Sequence, residues 1–124
     1  MELKFCSLSS GSSGNCQYLG TSRTKILIDA GLSGKRIESL LLSIDVKSEE
    51  IDYILVTHEH IDHVKGVGVL SRRYDIPILA NEKTWASMKE LIGKIDPKNI
   101  KVFESERAFE LGDLGIYPFK IFHD

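Results

Sequence analysis

Three of the four histidines in this chain fall within six residues of one another, at His58, His60 and His63, with Asp62 beside the last. In an extended chain, His58 and His60 project to the same side, so their imidazole nitrogens can bind one metal ion. Asp62 and His63 then offer a carboxylate and an imidazole to a second ion. Two ions about 3.5–4 Å apart can hold a bridging hydroxide while they clamp an oxyanion of a substrate. The spacing therefore predicts a two-metal site.

The donor atoms in this segment are nitrogen and oxygen, which favour Zn2+ and, after it, Mn2+ or Fe. The segment contains no cysteine, so a structural zinc held only by cysteines is excluded. The alternative is a polar loop whose histidines hydrogen-bond to the backbone. Three histidines and an aspartate within six residues favour the metal site over that alternative.

The elements that must position this segment can be predicted from the spacing of apolar residues. The segment follows 52–57, an apolar run without alternation that is typical of a buried strand. The C-terminal end of such a strand is a common place for ligand sites in α/β proteins. Further strands are predicted at 3–6, 17–19, 25–29, 77–80, 100–103, 108–111 and 114–122, and helices at 33–44, 64–74 and 82–95, with Ser33 and Asn81 as N-caps. Strands in clusters with helices between them predict an α/β fold with a mixed sheet and helices on one side.

Four further residues are candidates for a place at or near the site. Asp29 ends a predicted strand before a glycine turn; it either forms that turn through nearby backbone amides or orients a metal-bound imidazole, and both remain open. The small residues of 9–15 lack the Gly-Lys-Ser/Thr of a P-loop. We therefore expect a tight turn there that places Asn15 near the metal cleft. Cys6 and Cys16 are expected to pack as small apolar side chains rather than to bind metal.

The composition is that of a chain with a folded core: 124 residues, 42% of them hydrophobic and 27% charged, with a mean hydropathy of -0.10. The formal net charge of -2 gives no overall attraction for phosphate, so any affinity for nucleic acid needs a local patch. No signal peptide or membrane span is visible, and two cysteines fit a reducing compartment. We expect a cytoplasmic protein that makes no membrane contact.

The motif His-x-His-x-Asp-His after an apolar strand resembles the signature of the metallo-β-lactamase fold superfamily of hydrolases. The stretches 8–15, 28–33 and 80–85 resemble its YycJ (WalJ)-like branch in particular. Relatives in this branch are metal-dependent phosphodiesterases and nucleases, including 5′-to-3′ exonucleases that act on DNA. The resemblance therefore implies a phosphodiesterase or nuclease that uses a metal-bound hydroxide, with DNA or another phosphodiester as substrate.

The resemblance also assigns roles to individual residues. It implies that His123, at the end of a later strand, completes the first metal site with His58 and His60. Asp62 is implied as the catalytic residue, because it would hold the second ion and orient the hydroxide. With His63 this makes five metal ligands for two divalent ions in the full-length form.

The superfamily fold is an αβ/βα sandwich of two similar halves, normally well beyond the length of this chain. We expect residues 1–124 to be a single partial domain, the N-terminal half, without the bridging aspartate and last histidine of the second half. Such a half is expected to be inactive alone. An uncovered sheet face at 26–28, 54–56 and 114–122 would favour a homodimer. The alternatives are an inert metal-binding half-domain, or a thioesterase or lactamase of the same fold.

Overall fold

The computed structural model describes residues 2–119 and forms a mixed α/β fold, as predicted from the sequence. His123 and the end of the predicted strand at 114–122 lie outside the described residues. The strands are β1 (Lys4–Ser9), β2 (Cys16–Gly20), β3 (Lys25–Ile28), β4 (Tyr53–Leu55), β5 (Ile78–Ala80), β6 (Ile100–Val102), β7 (Phe109–Leu111) and β8 (Leu114–Ile116). The α-helices are α1 (Gly34–Leu42), α2 (Ile61–Val64), α3 (Val67–Tyr74) and α4 (Glu82–Ile92), with short 3-10 turns at Ser48–Glu50 and Pro97–Asn99.

Six strands form one sheet in the order β1-β2-β3-β4-β5-β6, and β7 pairs with β8 in a separate hairpin. The first three strands are antiparallel, whereas β3 to β6 run parallel to one another. Parallel neighbours need crossover connections, which the helices provide. The parallel strands therefore end at one edge of the sheet, and the histidine segment begins at that edge.

The two faces of the sheet are covered by different elements. Alternate residues of the parallel strands, such as Leu27, Ile54 and Ile78, belong to a core cluster with residues of the helices. Their neighbours Ile26 and Leu55 belong to a second cluster on the other face. The described helices thus lie on one side of the sheet, as predicted.

The expectation of an uncovered sheet face is wrong for Ile26 and for 54–56, which are buried. Ile26 is fully buried and Leu55 is 7% exposed, because the β7–β8 hairpin places Leu111 and Leu114 over them. Large apolar side chains at the end of the hairpin do stay exposed, including Phe119 at 67%.

The homodimer was predicted from that face and stays a prediction that light scattering can test. We expect the purified chain to scatter as a dimer, with twice the 13.9 kDa mass of one chain, because the exposed aromatic end of the hairpin favours association. A scattering mass of 13.9 kDa at every concentration would contradict it.

Local signals located the starts of two helices correctly, whereas several other boundaries differ from the prediction. Ser33 and Asn81 are N-caps as predicted, accepting from the backbone N–H of Arg36 at 3.3 Å and of Thr84 at 2.7 Å. The helix predicted at 64–74 begins instead at Val67, as α3, and is separated from the preceding short helix α2. The break occurs because the Gly66 N–H donates to the Ala30 carbonyl at 2.7 Å rather than within a helix.

Helix α4 and strand β8 are both shorter than predicted. The helix ends at Ile92 because Gly93 adopts a φ of 78°, which is outside the helical region. Leu91 of this helix is 53% exposed, whereas Trp85, Met88 and Ile92 are buried. Strand β8 ends at Ile116, and the Pro118 carbonyl that follows accepts instead from Glu106 N–H at 2.7 Å. Among residues 2–119, no helix is long and apolar enough to cross a membrane.

Candidate metal centre

The histidine segment starts where the parallel strands β3 and β4 end side by side. Asp29 follows β3, and its backbone N–H donates to the Leu55 carbonyl at the end of β4 at 2.7 Å. Beyond β4 the chain leaves regular structure until α2 begins at Ile61. The His63 N–H donates to the His60 carbonyl at 2.8 Å, so this first helical turn holds Asp62 and His63 next to the strand ends.

Asp29 is a buried carboxylate that joins the end of β4 to helix α2. It is 3% exposed and accepts three hydrogen bonds: from Thr57 N–H at 2.7 Å, from the Thr57 hydroxyl at 2.6 Å and from His63 Nδ1 at 2.7 Å. These partners are 28 and 34 residues away along the chain. The side chain therefore does not close its own turn, although its backbone has a left-handed φ of 64°. Such a backbone is sustained only where the surroundings fix it, as these three hydrogen bonds do.

The bond to Asp29 determines which nitrogen of His63 can bind a metal ion. An ionised carboxylate only accepts, so the proton of a neutral His63 ring is assigned to Nδ1. The lone pair is then on Nε2, which lies 3.7 Å from Asp62 Oδ2. A ring held in this way by a carboxylate is the usual arrangement of a metal-ligating histidine.

Asn15 is packed against the same two residues from the other side. Its backbone N–H donates to the Asp62 carbonyl at 2.7 Å, and its side-chain Nδ2 lies 3.2 Å from Asp62 Oδ2. The same Nδ2 is 3.4 Å from His63 Nε2. The amide is itself held by Gly11, whose carbonyl accepts from Nδ2 at 2.9 Å and whose N–H donates to Oδ1 at 3.1 Å. The loop expected to bring Asn15 to the cleft thus lies against Asp62 and His63.

Gly31 is a residue of this site that the sequence did not single out. A Cβ on Gly31 would overlap the Asp62 carbonyl, and it would lie 2.7 Å from the backbone nitrogen of Asn15. The Gly31 N–H donates to the Asn15 carbonyl at 2.8 Å. Three segments therefore approach one another here so closely that only glycine fits.

His58 and His60 lie beside this framework on the irregular segment. The His58 ring centroid is 4.8 Å from that of His63 and 6.2 Å from that of His60, to which it is inclined by 30°. His58 Nδ1 is 3.0 Å from the Thr57 hydroxyl oxygen. Thr57 is a second residue that sequence reasoning missed, although its position directly before His58 was available as a signal.

The chemistry of the donor set fits divalent ions, since imidazole nitrogens and one carboxylate suit Zn2+ and related metals. Within residues 2–119, however, no three or more side chains of His, Cys, Asp and Glu are gathered closely enough to hold an ion. The predicted ligands that the structure describes lie together on one segment, next to the ends of β3 and β4. His123, the fifth predicted ligand, lies outside the described residues.

The two cysteines pack as small apolar side chains, as expected. Cys16 is fully buried in the core cluster of the helices, and Cys6 packs against the same cluster. Burial, followed by the nearby Asp29 carboxylate, raises the pKa of Cys16 to about 12. The Cys16 thiol therefore stays protonated at neutral pH, which is the unreactive form.

The fold and the motif together place the chain in one protein family. The chain belongs to the Metallo-beta-lactamase superfamily, which its sequence matches over residues 10–123. Membership of this superfamily implies that the protein binds divalent metal.

Similar proteins include two bacterial exodeoxyribonucleases. The chain is 50% identical over 123 residues to "Exodeoxyribonuclease WalJ" of Streptococcus pneumoniae serotype 2, a match that covers 98% of this chain and 46% of the relative. It is 47% identical to "Exodeoxyribonuclease YycJ" of Bacillus anthracis, covering 100% of this chain and 47% of that relative. The chain thus spans about half the length of the curated relatives it matches. The predicted resemblance is confirmed.

Solved structures confirm the fold. A metallo-β-lactamase variant from Cronobacter sakazakii matches with a TM-score of 0.73 at 18% identity, over 88% of this chain and 46% of that one. A B3 metallo-β-lactamase with an active-site glutamic acid matches with a TM-score of 0.69 at 20% identity, over 85% and 45%. At these identities, the likeness concerns the fold alone.

Proposed function

We propose that this chain is the N-terminal half of a metallo-β-lactamase-fold domain in a metal-dependent DNA exonuclease. The observation that carries the proposal is the 50% identity to an exodeoxyribonuclease along 98% of this chain. The buried carboxylate behind His63 supports the metal centre, and the DNA substrate is taken from the names of the relatives. A cytoplasmic location is part of the proposal, supported by two free thiols.

In this proposal, each side chain of the site has a defined task. His58, His60 and His123 hold one ion, while Asp62 and His63 hold the second. Bound divalent ions would polarise the phosphodiester and lower the pKa of water. Asp62 would also accept a hydrogen bond from the attacking water and so orient it.

Two residues would keep these ligands in place. Asp29 holds the ring of His63 by accepting a hydrogen bond from Nδ1. The Asn15 side-chain amide holds Asp62 by donating to the Asp62 backbone carbonyl and to the Asp62 carboxylate. These contacts would thus limit how far the ligands move during catalysis.

A chimera tests the function without requiring this chain to be active alone. The matching half of the Streptococcus pneumoniae relative is replaced by this chain, and release of nucleotides from end-labelled duplex DNA is measured. We expect chelator-sensitive exonuclease activity, which Asp62→Asn reduces by ~100-fold or more because an amide is a poor metal ligand.

Glu59→Gln is the matched control for this experiment. It removes a carboxylate from the same segment at a position that is not assigned to a metal, so the chimera should keep its activity. A folded chimera without activity, or activity that Asp62→Asn leaves intact, would contradict the proposal.

Metal binding by the chain itself is a separate prediction. We expect isothermal titration of the purified 124-residue chain with Zn2+ to show binding that His58→Ala with His60→Ala abolishes, because the pair supplies two of the three ligands of one ion. Zinc affinity that survives this double substitution would place the ion elsewhere. Binding in this experiment together with an inactive chimera would favour the alternative of an inert metal-binding half-domain.

A further inference from the structure

We propose that Thr57 is a positioning residue. Its hydroxyl connects the buried Asp29 carboxylate to His58, so that this one carboxylate fixes the tautomers of two imidazoles, those of His58 and His63. The inference rests on the proposed metal centre for its purpose. Its physical content is a chain of hydrogen bonds among residues that the structure describes. Asp29 reaches His63 directly and His58 through Thr57.

The direction of each hydrogen bond follows from the number of protons available. The Thr57 hydroxyl oxygen lies 2.6 Å from Asp29 Oδ2 and 3.0 Å from His58 Nδ1. A hydroxyl has one proton to donate, and a carboxylate can only accept. The proton of Thr57 therefore points at Asp29, and a lone pair of the same oxygen faces His58.

The consequence for His58 is a defined tautomer. In a neutral His58 ring, Nδ1 must carry the proton to donate to that lone pair, which leaves the lone pair of the ring on Nε2. His63 has the same tautomer, because its Nδ1 donates to Asp29 at 2.7 Å. Both rings then present Nε2 as their metal-binding atom, without a proton that would have to leave first.

The position of the Thr57 hydroxyl is itself fixed by Asp29. The backbone N–H of Thr57 donates to Asp29 Oδ1 at 2.7 Å while the hydroxyl donates to Oδ2, so both oxygens of the carboxylate bind this one residue. A β-branched side chain has few χ1 rotamers, which reduces the entropy lost in holding the hydroxyl there. Asp29 is 3% exposed, so water has little access to compete at the carboxylate.

Two substitutions of Thr57 separate the hydroxyl from the shape of the side chain. Thr57→Val keeps the branched shape and removes the hydroxyl, whereas Thr57→Ser keeps the hydroxyl. The tautomers are read from long-range proton–nitrogen NMR spectra of the metal-free 124-residue chain, labelled with 15N, at about pH 8.5, where an ordinary imidazole is neutral.

We expect His58 to be protonated on Nδ1 in the original chain and in Thr57→Ser, and to shift to Nε2 protonation in Thr57→Val. His63 is the internal reference, since its bond to Asp29 does not pass through Thr57 and should keep Nδ1 protonated in all three chains. Zn2+ affinity should fall about 10–100-fold in Thr57→Val and recover in Thr57→Ser.

A His58 ring protonated on Nε2 in the original chain would overturn the inference, and so would a His58 tautomer that is unchanged in Thr57→Val. Loss of the His63 tautomer in Thr57→Val would show a general disturbance of the site, which also contradicts a specific role of the hydroxyl. The NMR result needs neither metal nor DNA. It can therefore support the role of Thr57 even where the chimera shows no nuclease activity, and the two failures are distinguishable.

Discussion

Asp29→Asn is expected to weaken Zn2+ binding by this chain about 10–100-fold, although the substitution replaces only one heavy atom. Asp29 accepts from three donors, and an amide in its place has one oxygen and one NH2 group. With the amide oxygen accepting from Thr57 N–H, the NH2 group faces both His63 Nδ1 and the Thr57 hydroxyl. His63 must then accept at Nδ1 and carry its proton on Nε2. Thr57 accepts from the amide and donates to His58 Nδ1, so the proton of His58 moves to Nε2 as well. That is the wrong tautomer for a metal ligand, because the proton occupies the position of the ion.

Competition of the chain with a fluorescent zinc chelator measures this effect, and Asp113→Asn is the matched control. Asp113, in the turn between β7 and β8, also accepts from a threonine hydroxyl, that of Thr21 at 2.9 Å. The control therefore removes a similar hydrogen-bonded carboxylate from a different element. Equal zinc affinities for Asp29→Asn and the original chain would show that the carboxylate does not control the ring.

The parts of this fold that could be predicted from sequence are those governed by near neighbours. The N-caps at Ser33 and Asn81 are set by contacts three residues away, and both were predicted correctly. The histidine segment was placed correctly after a buried strand, since apolar runs without alternation mark such strands. The mixed sheet followed from the clustering of strands between helices.

What could not be predicted depends on contacts between distant parts of the chain. The sequence left Asp29 undecided between a local turn and an imidazole partner, because its partners stand 28 and 34 residues away. The packing of the β7–β8 hairpin over Ile26 and Leu55 was missed for the same reason: nothing near those residues indicates what packs on them. Its strand β8 was predicted too long, since alternation continues past the point where pairing with β7 ends.

The contact of Asn15 with Asp62 depends both on the local sequence of a turn and on packing between distant parts of the chain. Glycines in 9–15 predicted a tight turn, and the structure gives Gly11 and Gly14 φ values of 114° and 147° that favour glycine. The partner of the turn lies 47 residues further along the chain. The glycines thus explain the shape of the loop. The pairing of β3 with β4 explains why Asn15 of this loop contacts Asp62.

Gly31→Ala is expected to lower the free energy of unfolding by about 3 kcal/mol, at the upper end of the usual cost of overpacking. The new Cβ would overlap the Asp62 carbonyl and approach the Asn15 nitrogen, and both are backbone atoms that cannot rotate away. Either the bond from Asn15 N–H to the Asp62 carbonyl breaks, or Gly31 and helix α2 move apart. The melting temperature followed by circular dichroism should fall by roughly 10 °C.

Gly115→Ala is the control for this substitution, because no heavy atom lies within 4 Å of the Cβ that it would add. Its melting temperature should stay within about 2 °C of the original, as for a surface change of less than 0.5 kcal/mol. If the melting temperature of Gly31→Ala equals that of Gly115→Ala, the three segments do not pack as described. Zn2+ binding by Gly31→Ala should weaken as well, since Asp62 can move only together with its backbone carbonyl, against which Gly31 packs.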